Sequence, residues 1–383
     1  MQRVAIFNCP KQDNCTFLIC IVNPFMVRFD KEITRIVKGF ALILMMILHF
    51  YGQANYDVEL NYQYSPFNEC LRSFKLCVAI FTFMVGYGYA FSKTKDFKYS
   101  LQHIKKLLIP YWLILFVFSL PFCMDIVLQN NAKVFIYNLF GITDTNGNSA
   151  VYLKFGWFVY FFIYTMIVMP LVSRFIDKHP LRNSIIAIVF FLGMTLALHS
   201  VPRLLALFHI EVAPIGKTNL PLALFYCLRM TPTVILGYLF AHQGYYEKIN
   251  IGRIPRIPTF LICVLMIVAI ITTLRNFTNI YLNPFNIDAI YALLMIGAVT
   301  ILFNKFRWTI LRKTLSKVGE LSVYMWFLQG LFFTEGTRRI YQPAITIFND
   351  INLVAIWAMI LTFFAAWLLK FLVDAITKRL TKS

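Results

Sequence analysis

Ten stretches of this chain are long and apolar enough to cross a bilayer, and they follow one another with little sequence between them. A spanning helix needs about 17–25 mostly apolar residues. The stretches lie near 36–53, 74–92, 107–128, 155–173, 183–200, 220–242, 257–275, 287–304, 320–337 and 352–372. In hydrocarbon every backbone N–H and C=O must be bonded within the protein, so only helices and closed barrels can cross it. Period-two alternation is absent, which argues against the strands of a barrel. The expected architecture is all-α, a polytopic membrane protein built as a bundle of about ten transmembrane helices.

Composition agrees. Charged residues make up 14% of the 383 and hydrophobic ones 59%, whereas a soluble domain carries roughly 25% charged residues. One transmembrane domain is expected over 29–375, preceded by a short N-terminal extension at 1–28 and followed by a basic tail at 376–383. The apolar run at 15–27 is interrupted by Asn23 and Pro24 and lacks the small-residue cleavage site of a signal peptide.

The net charge of +19 would suit a nucleic-acid binder, but its distribution speaks against one. The lysines and arginines sit in short clusters between apolar runs, as in a protein that uses them to fix its orientation among membrane lipids. With the start of the first helix placed in the cytoplasm, the inner segments hold twenty-four of these residues and the outer ones nine. Both termini are therefore expected inside, with an even number of helices. The eight cysteines are scattered, with no CxxC pair and no metal-ligand spacing. Buried packing residues are expected rather than a disulfide framework or a metal site.

Few residues are placed to do chemistry. In the first apolar stretch, His49 follows Lys38 by eleven residues. That is a rise of about 16 Å and close to three helical turns, so both side chains project from nearly one face. An imidazole in an apolar span usually faces a cavity or the bundle interior, although a structural histidine at the interface would read the same way. Gly86 and Gly88 allow close backbone or ligand approach. At the start of the third stretch, HIKKLLIPYW (103–112) sets His103, Lys105 and Lys106 at a border where they could meet phosphates or simply anchor the helix. Arg229 lies well inside the sixth stretch, three residues before Pro232. It could bind a donor, stabilise an oxyanion, or pair with Asp288 or Glu69. Trp157 could stack on a sugar or serve in the aromatic belt.

The segments KGFALILMMILH, FTFMVGYGYA, HIKKLLIPYW, FGWF and LSVYMWFLQ, in this order, resemble the acyltransferase-3 family. The likeness is to the branch found in bacterial surface-polysaccharide gene clusters, including fucose O-acetylases, and it runs from about Phe29 to the end. Lys38 and His49 match the family's basic residue, ten residues, then histidine. His103 and Lys106 stand where the family has Arg-x-x-Arg, and Val85 where it has a serine. Leu48 replaces the first of two histidines, and Leu321 and Gln329 replace histidines of the LSVYMWFLQ motif, while Ser322 and Trp326 are retained.

The resemblance implies an integral O-acyltransferase of the bacterial inner membrane. Acyl-coenzyme A, acetyl-CoA by analogy, would be a co-substrate rather than a permanent cofactor. The acceptor would be a glycan or lipid-linked saccharide. Lys38, His103, Lys106 and Arg229 would hold the donor, His49 would act on the acceptor hydroxyl, and Trp157 and Trp326 would contact substrate. A transporter or flippase for a lipid-linked or small anionic substrate is the alternative, since Pro232 and a mid-span arginine would suit a substrate path. No inverted repeat is evident in support of it. A family member that binds without transferring is the third reading.

Overall fold

The computed structural model describes residues 26–52, 56, 70–92, 94–129, 132–142, 151–207, 219–252, 254–275 and 287–380, without the side chains of 201–222 and 376–380. Among these residues there is no β-strand, only an isolated bridge between Met26 and Asn250. Nine helical segments among the described residues are long and apolar enough to span a membrane. They are α1 (Lys31–Gly52), α2 (Leu71–Ala90), α3 (Phe97–Phe122), α4 (Trp157–Lys178), α5 (Pro180–Leu207), α6 (Asn219–Gln243), α7 (Arg256–Leu274), α8 (Asp288–Lys305) and, after a broken segment, α11 (Ile351–Leu380).

The ninth stretch, expected as one helix near 320–337, differs. It begins earlier and is broken into α9 (Thr309–Glu320) and α10 (Ser322–Gly330), which part at a bend on Leu321. The chain then turns through 331–334. At that turn Gly330 sits against the Lys154 carbonyl, and the Thr334 hydroxyl accepts from the Lys154 N–H at 2.8 Å. A docked segment from elsewhere in the chain thus occupies the space into which the helix would have continued.

Local chemistry sets several helix starts. Asp30 caps α1 by accepting from the backbone N–H of Glu32 and Ile33, both at 2.9 Å. Asp96 caps α3 through Tyr99 N–H, and Asp350 caps α11 through Asn352 and Leu353. Each supplies an acceptor to donors that no carbonyl of the helix can reach. The Asp96 cap starts α3 about ten residues before the expected boundary, so His103 and Lys106 lie within the helix rather than ahead of it.

Helices α1 and α2 form the centre, and α5 and α7 the periphery: 72% of the α2 span is buried within the protein and only 17% of α7. Two close crossings organise that centre. A β-carbon on Gly39 would strike the Leu315 carbonyl and one on Gly319 the Arg35 carbonyl, so α1 and α9 touch backbone to backbone. Gly86 and Gly237 do the same for α2 and α6, against Val234 and Phe83. Helix pairs in membranes gain their attraction from such contacts.

Helix α1 and the α9–α10 pair run side by side in one direction. Glu32 bonds Arg312 at 2.9 Å, Gly39 meets Gly319, and His49 neighbours Gln329, each pair 280 positions apart. Helix α11 returns. Its Asn352 accepts from Tyr51 at 2.8 Å near one end of the bundle, and its Lys370 reaches Glu320 at 3.6 Å toward the other. The start of α1 and the end of α11 therefore share one end of the molecule.

Of the expected N-terminal extension only 26–28 is described. There Val27 N–H bonds the Ile249 carbonyl at 3.0 Å, and Arg28 and Asn304 exchange two hydrogen bonds of 2.9 Å. The side chains of the expected basic tail, together with Glu69, lie outside the described residues. The described cysteines are unpaired: Cys77, Cys123, Cys227 and Cys263 are buried and Cys70 half-buried.

Candidate active site

Two cavities lie along α1 and share one residue, Trp326. The first, about 400 Å³, takes in Lys38 from α1, His103 and Lys106 from α3, and Glu320 at the end of α9. Its remaining surface is largely apolar and aromatic, including Phe81, Phe158 and Phe162. His103 Nδ1 lies 3.0 Å from the Tyr99 carbonyl and the ring packs on Tyr99. Nδ1 must carry a proton to donate there, which leaves Nε2 to meet a ligand. Lys106 is exposed, Lys38 half-buried. Glu320 is held by Lys317 at 3.1 Å and Lys370 at 3.6 Å.

Of the two glycines in α2, Gly86 serves the crossing with α6, whereas Gly88 lines this cavity with nothing within 4 Å of a notional β-carbon.

The second cavity, about 260 Å³, contains His49, Trp157, Tyr226 and Trp326. Here the His49 ring stacks on Phe155, with centroids 3.7 Å apart and planes within 4°. Phe155 holds a positive φ of 69°, a conformation uncommon for a non-glycine residue and costly for a bulky one. Its carbonyl accepts from Trp326 Nε1 at 3.1 Å. One strained residue therefore orients both the imidazole and the tryptophan that faces both cavities.

The segment carrying Phe155 is held from several sides. Tyr152 N–H bonds Asn138 at 2.9 Å, the Tyr152 carbonyl accepts from Ser119, and Tyr111 and Trp112 of α3 donate to the Asn138 and Leu139 carbonyls. Burial, assisted by nearby Arg338 and opposed by Glu335, holds the Lys154 ammonium below its usual range. Gln329 stands beside His49 with its side chain wholly buried. Neither end of its amide, nor His49 Nδ1, completes a hydrogen bond of good geometry.

The acyltransferase-3 family model, described as an acyltransferase domain, matches residues 35–371. The chain belongs to the acyltransferase-3 family. No curated protein and no solved structure matches it. As a family member it is a membrane acyltransferase.

In this acyltransferase the structure brings Lys38, His103 and Lys106 to one cavity and His49 and Trp157 to the next, with Trp326 between them. Arg229, expected with the donor-binding residues, is elsewhere. It lies ten residues into α6, level with Leu48, on a third cavity that includes Arg72, Lys75, Arg275 and Asp288. Nor is Asp288 its partner. Both carboxylate oxygens of Asp288 are taken by Arg275, each at 2.8 Å.

Sequence reasoning did not single out Phe155, Glu320 or Lys75. Phe155 is the first letter of the FGWF segment, so the signal was present. Its stacking depends on how a loop docks, and no spacing rule reports that.

Proposed function

We propose that this acyltransferase takes an acyl group, acetyl by analogy, from cytoplasmic acyl-coenzyme A and transfers it to a hydroxyl of a surface glycan or lipid-linked saccharide at the bacterial inner membrane. The observation that carries this reading is the pair of cavities, one cationic and one holding the imidazole, with a single tryptophan between them.

Coenzyme A has phosphates at one end and a thioester at the end of a long thin arm. Lys106 and Lys38 supply point charges to the phosphates, without the bidentate fork of arginine, and His103 in its doubly protonated form donates Nε2–H to a phosphate oxygen. The arm follows the aromatic surface toward Trp326. In the adjoining cavity His49 takes the proton from the acceptor hydroxyl as a general base. The hydroxyl oxygen attacks the thioester carbonyl, the carbon–sulfur bond breaks, and the departing thiolate receives the proton. The stack on Phe155 fixes the ring plane so that no reorientation is needed during transfer.

The orientation follows from the charge asymmetry of the segments between spans: the Lys38 end faces the cytoplasm and the His49 end the outer side. A transporter would use a substrate path and leave the thioester intact.

The test is transfer from radiolabelled acetyl-CoA by purified protein in detergent. His49→Ala is expected to lower transfer by at least about a hundredfold, the usual scale for a general base. Lys38→Glu is expected to weaken acetyl-CoA binding by about tenfold or more, since it replaces attraction to phosphate with repulsion. Normal transfer by well-folded His49→Ala protein would remove the mechanism, and unchanged donor affinity in Lys38→Glu would remove the donor site.

A further inference from the structure

The third cavity, about 460 Å³, is built differently from the other two. Among the described residues its charged side chains are Arg72 and Lys75 from α2, Arg229 from α6, Arg275 after α7 and Asp288 of α8, four cations against one carboxylate. The Arg275–Asp288 pair is closed on itself through two 2.8 Å hydrogen bonds. Lys75 lies close enough to Arg229 and Arg275 for their charges to act on it, and it makes no ion pair with a described residue. With Arg275 committed to Asp288 and Arg229 set aside, Arg72 and Lys75 make no ion pair with a described residue and leave two positive charges in excess among the described residues.

A second observation points the same way. Thr233 lines this cavity, is 1% exposed, and its hydroxyl has no hydrogen-bond partner. Buried hydroxyls normally have one.

The cavity also adjoins the one holding His49. Leu48, Lys75, Val78, Tyr226 and Met230 line both. An anion seated at Lys75 would thus be close to whatever presents its hydroxyl to the imidazole. Low-dielectric helix walls concentrate the field of such a cluster, and several cations with a hydroxyl donor match a phosphate better than a single carboxylate.

We infer that this cavity seats a phosphate or diphosphate group covalently joined to the acceptor sugar, so that the acceptor is a phosphate-bearing saccharide gripped at Lys75, Arg72 and Thr233 while its hydroxyl faces His49. This deepens the proposed function and rests on it for the word acceptor, but anion binding at this place can be measured without any transfer.

The experiment titrates purified full-length protein, with excess coenzyme A present to occupy the donor cavity, against inorganic pyrophosphate, inorganic phosphate, a short polyprenyl diphosphate and glucuronate. Wild type is expected to bind pyrophosphate and the polyprenyl diphosphate. Lys75→Gln should weaken both by about tenfold or more and Thr233→Val by about threefold, the scale of one charged and one neutral hydrogen bond, with melting temperature as the check on folding. No binding by wild type, or equal affinity in wild type and both variants, overturns the site. Glucuronate binding more tightly than pyrophosphate overturns the assignment to phosphate. Inorganic phosphate binding as tightly as the polyprenyl diphosphate overturns the link to an acceptor. Absence of transfer from acetyl-CoA alongside Lys75-dependent diphosphate binding would instead sink the acyltransfer mechanism and leave the anion site standing.

Discussion

At the scale of single residues, the His49 imidazole is fixed by the face of Phe155 rather than by a hydrogen bond of good geometry. Gln329 beside it is buried, and neither end of its amide completes such a bond. A buried amide left unpaired costs about 1–3 kcal/mol, and such a cost persists in a protein when function requires the group. Gln329→Leu, similar in volume and apolar, is therefore expected to raise the melting temperature in detergent while slowing transfer by about tenfold. A lower melting temperature would mean that the amide is a structural group after all. The sequence displayed His49 and Lys38 plainly, because a charge and an imidazole three turns apart stand out in an apolar helix. It could not show which cavity Arg229 entered. That depends on the rotation of α6 about its axis, and the Gly237 contact with α2 sets this rotation.

At the scale of elements, most helices were legible because length and apolarity suffice to mark a span. The broken one was not. The segment TILRKTLSKVGE carries three lysines and arginines in its first nine residues and reads as a border. Its glycine packs against α1, however, and makes it part of the bundle. The two glycines of α2 separate structural from functional roles. Gly86→Ala would push a methyl into the Val234 carbonyl, and it is expected to lower the melting temperature sharply or abolish folded yield. Gly88→Ala meets open space, so the fold should persist while the donor cavity narrows and KM for acetyl-CoA rises by about threefold, a change of about 0.7 kcal/mol. Equal melting temperatures for the two variants would contradict the described crossing.

At the scale of the whole molecule, the start of α1 and the end of α11 share one end of the bundle, and the proposed orientation puts that end in the cytoplasm. Cysteines introduced as Lys133→Cys and Arg339→Cys, both at exposed positions, should react with a membrane-impermeant thiol reagent on intact cells. Lys105→Cys and Lys313→Cys, exposed at the opposite end, should react only after the cells are opened. The reverse pattern would invert the protein and place its donor cavity on the wrong side for coenzyme A.

The position of Trp326 carries one more consequence. In the proposed reaction each substrate would come in through its own door and meet the other at this one indole. Only a small group would change hands there. On the proposed orientation a cell would in this way spend cytoplasmic thioesters on decorating its exterior.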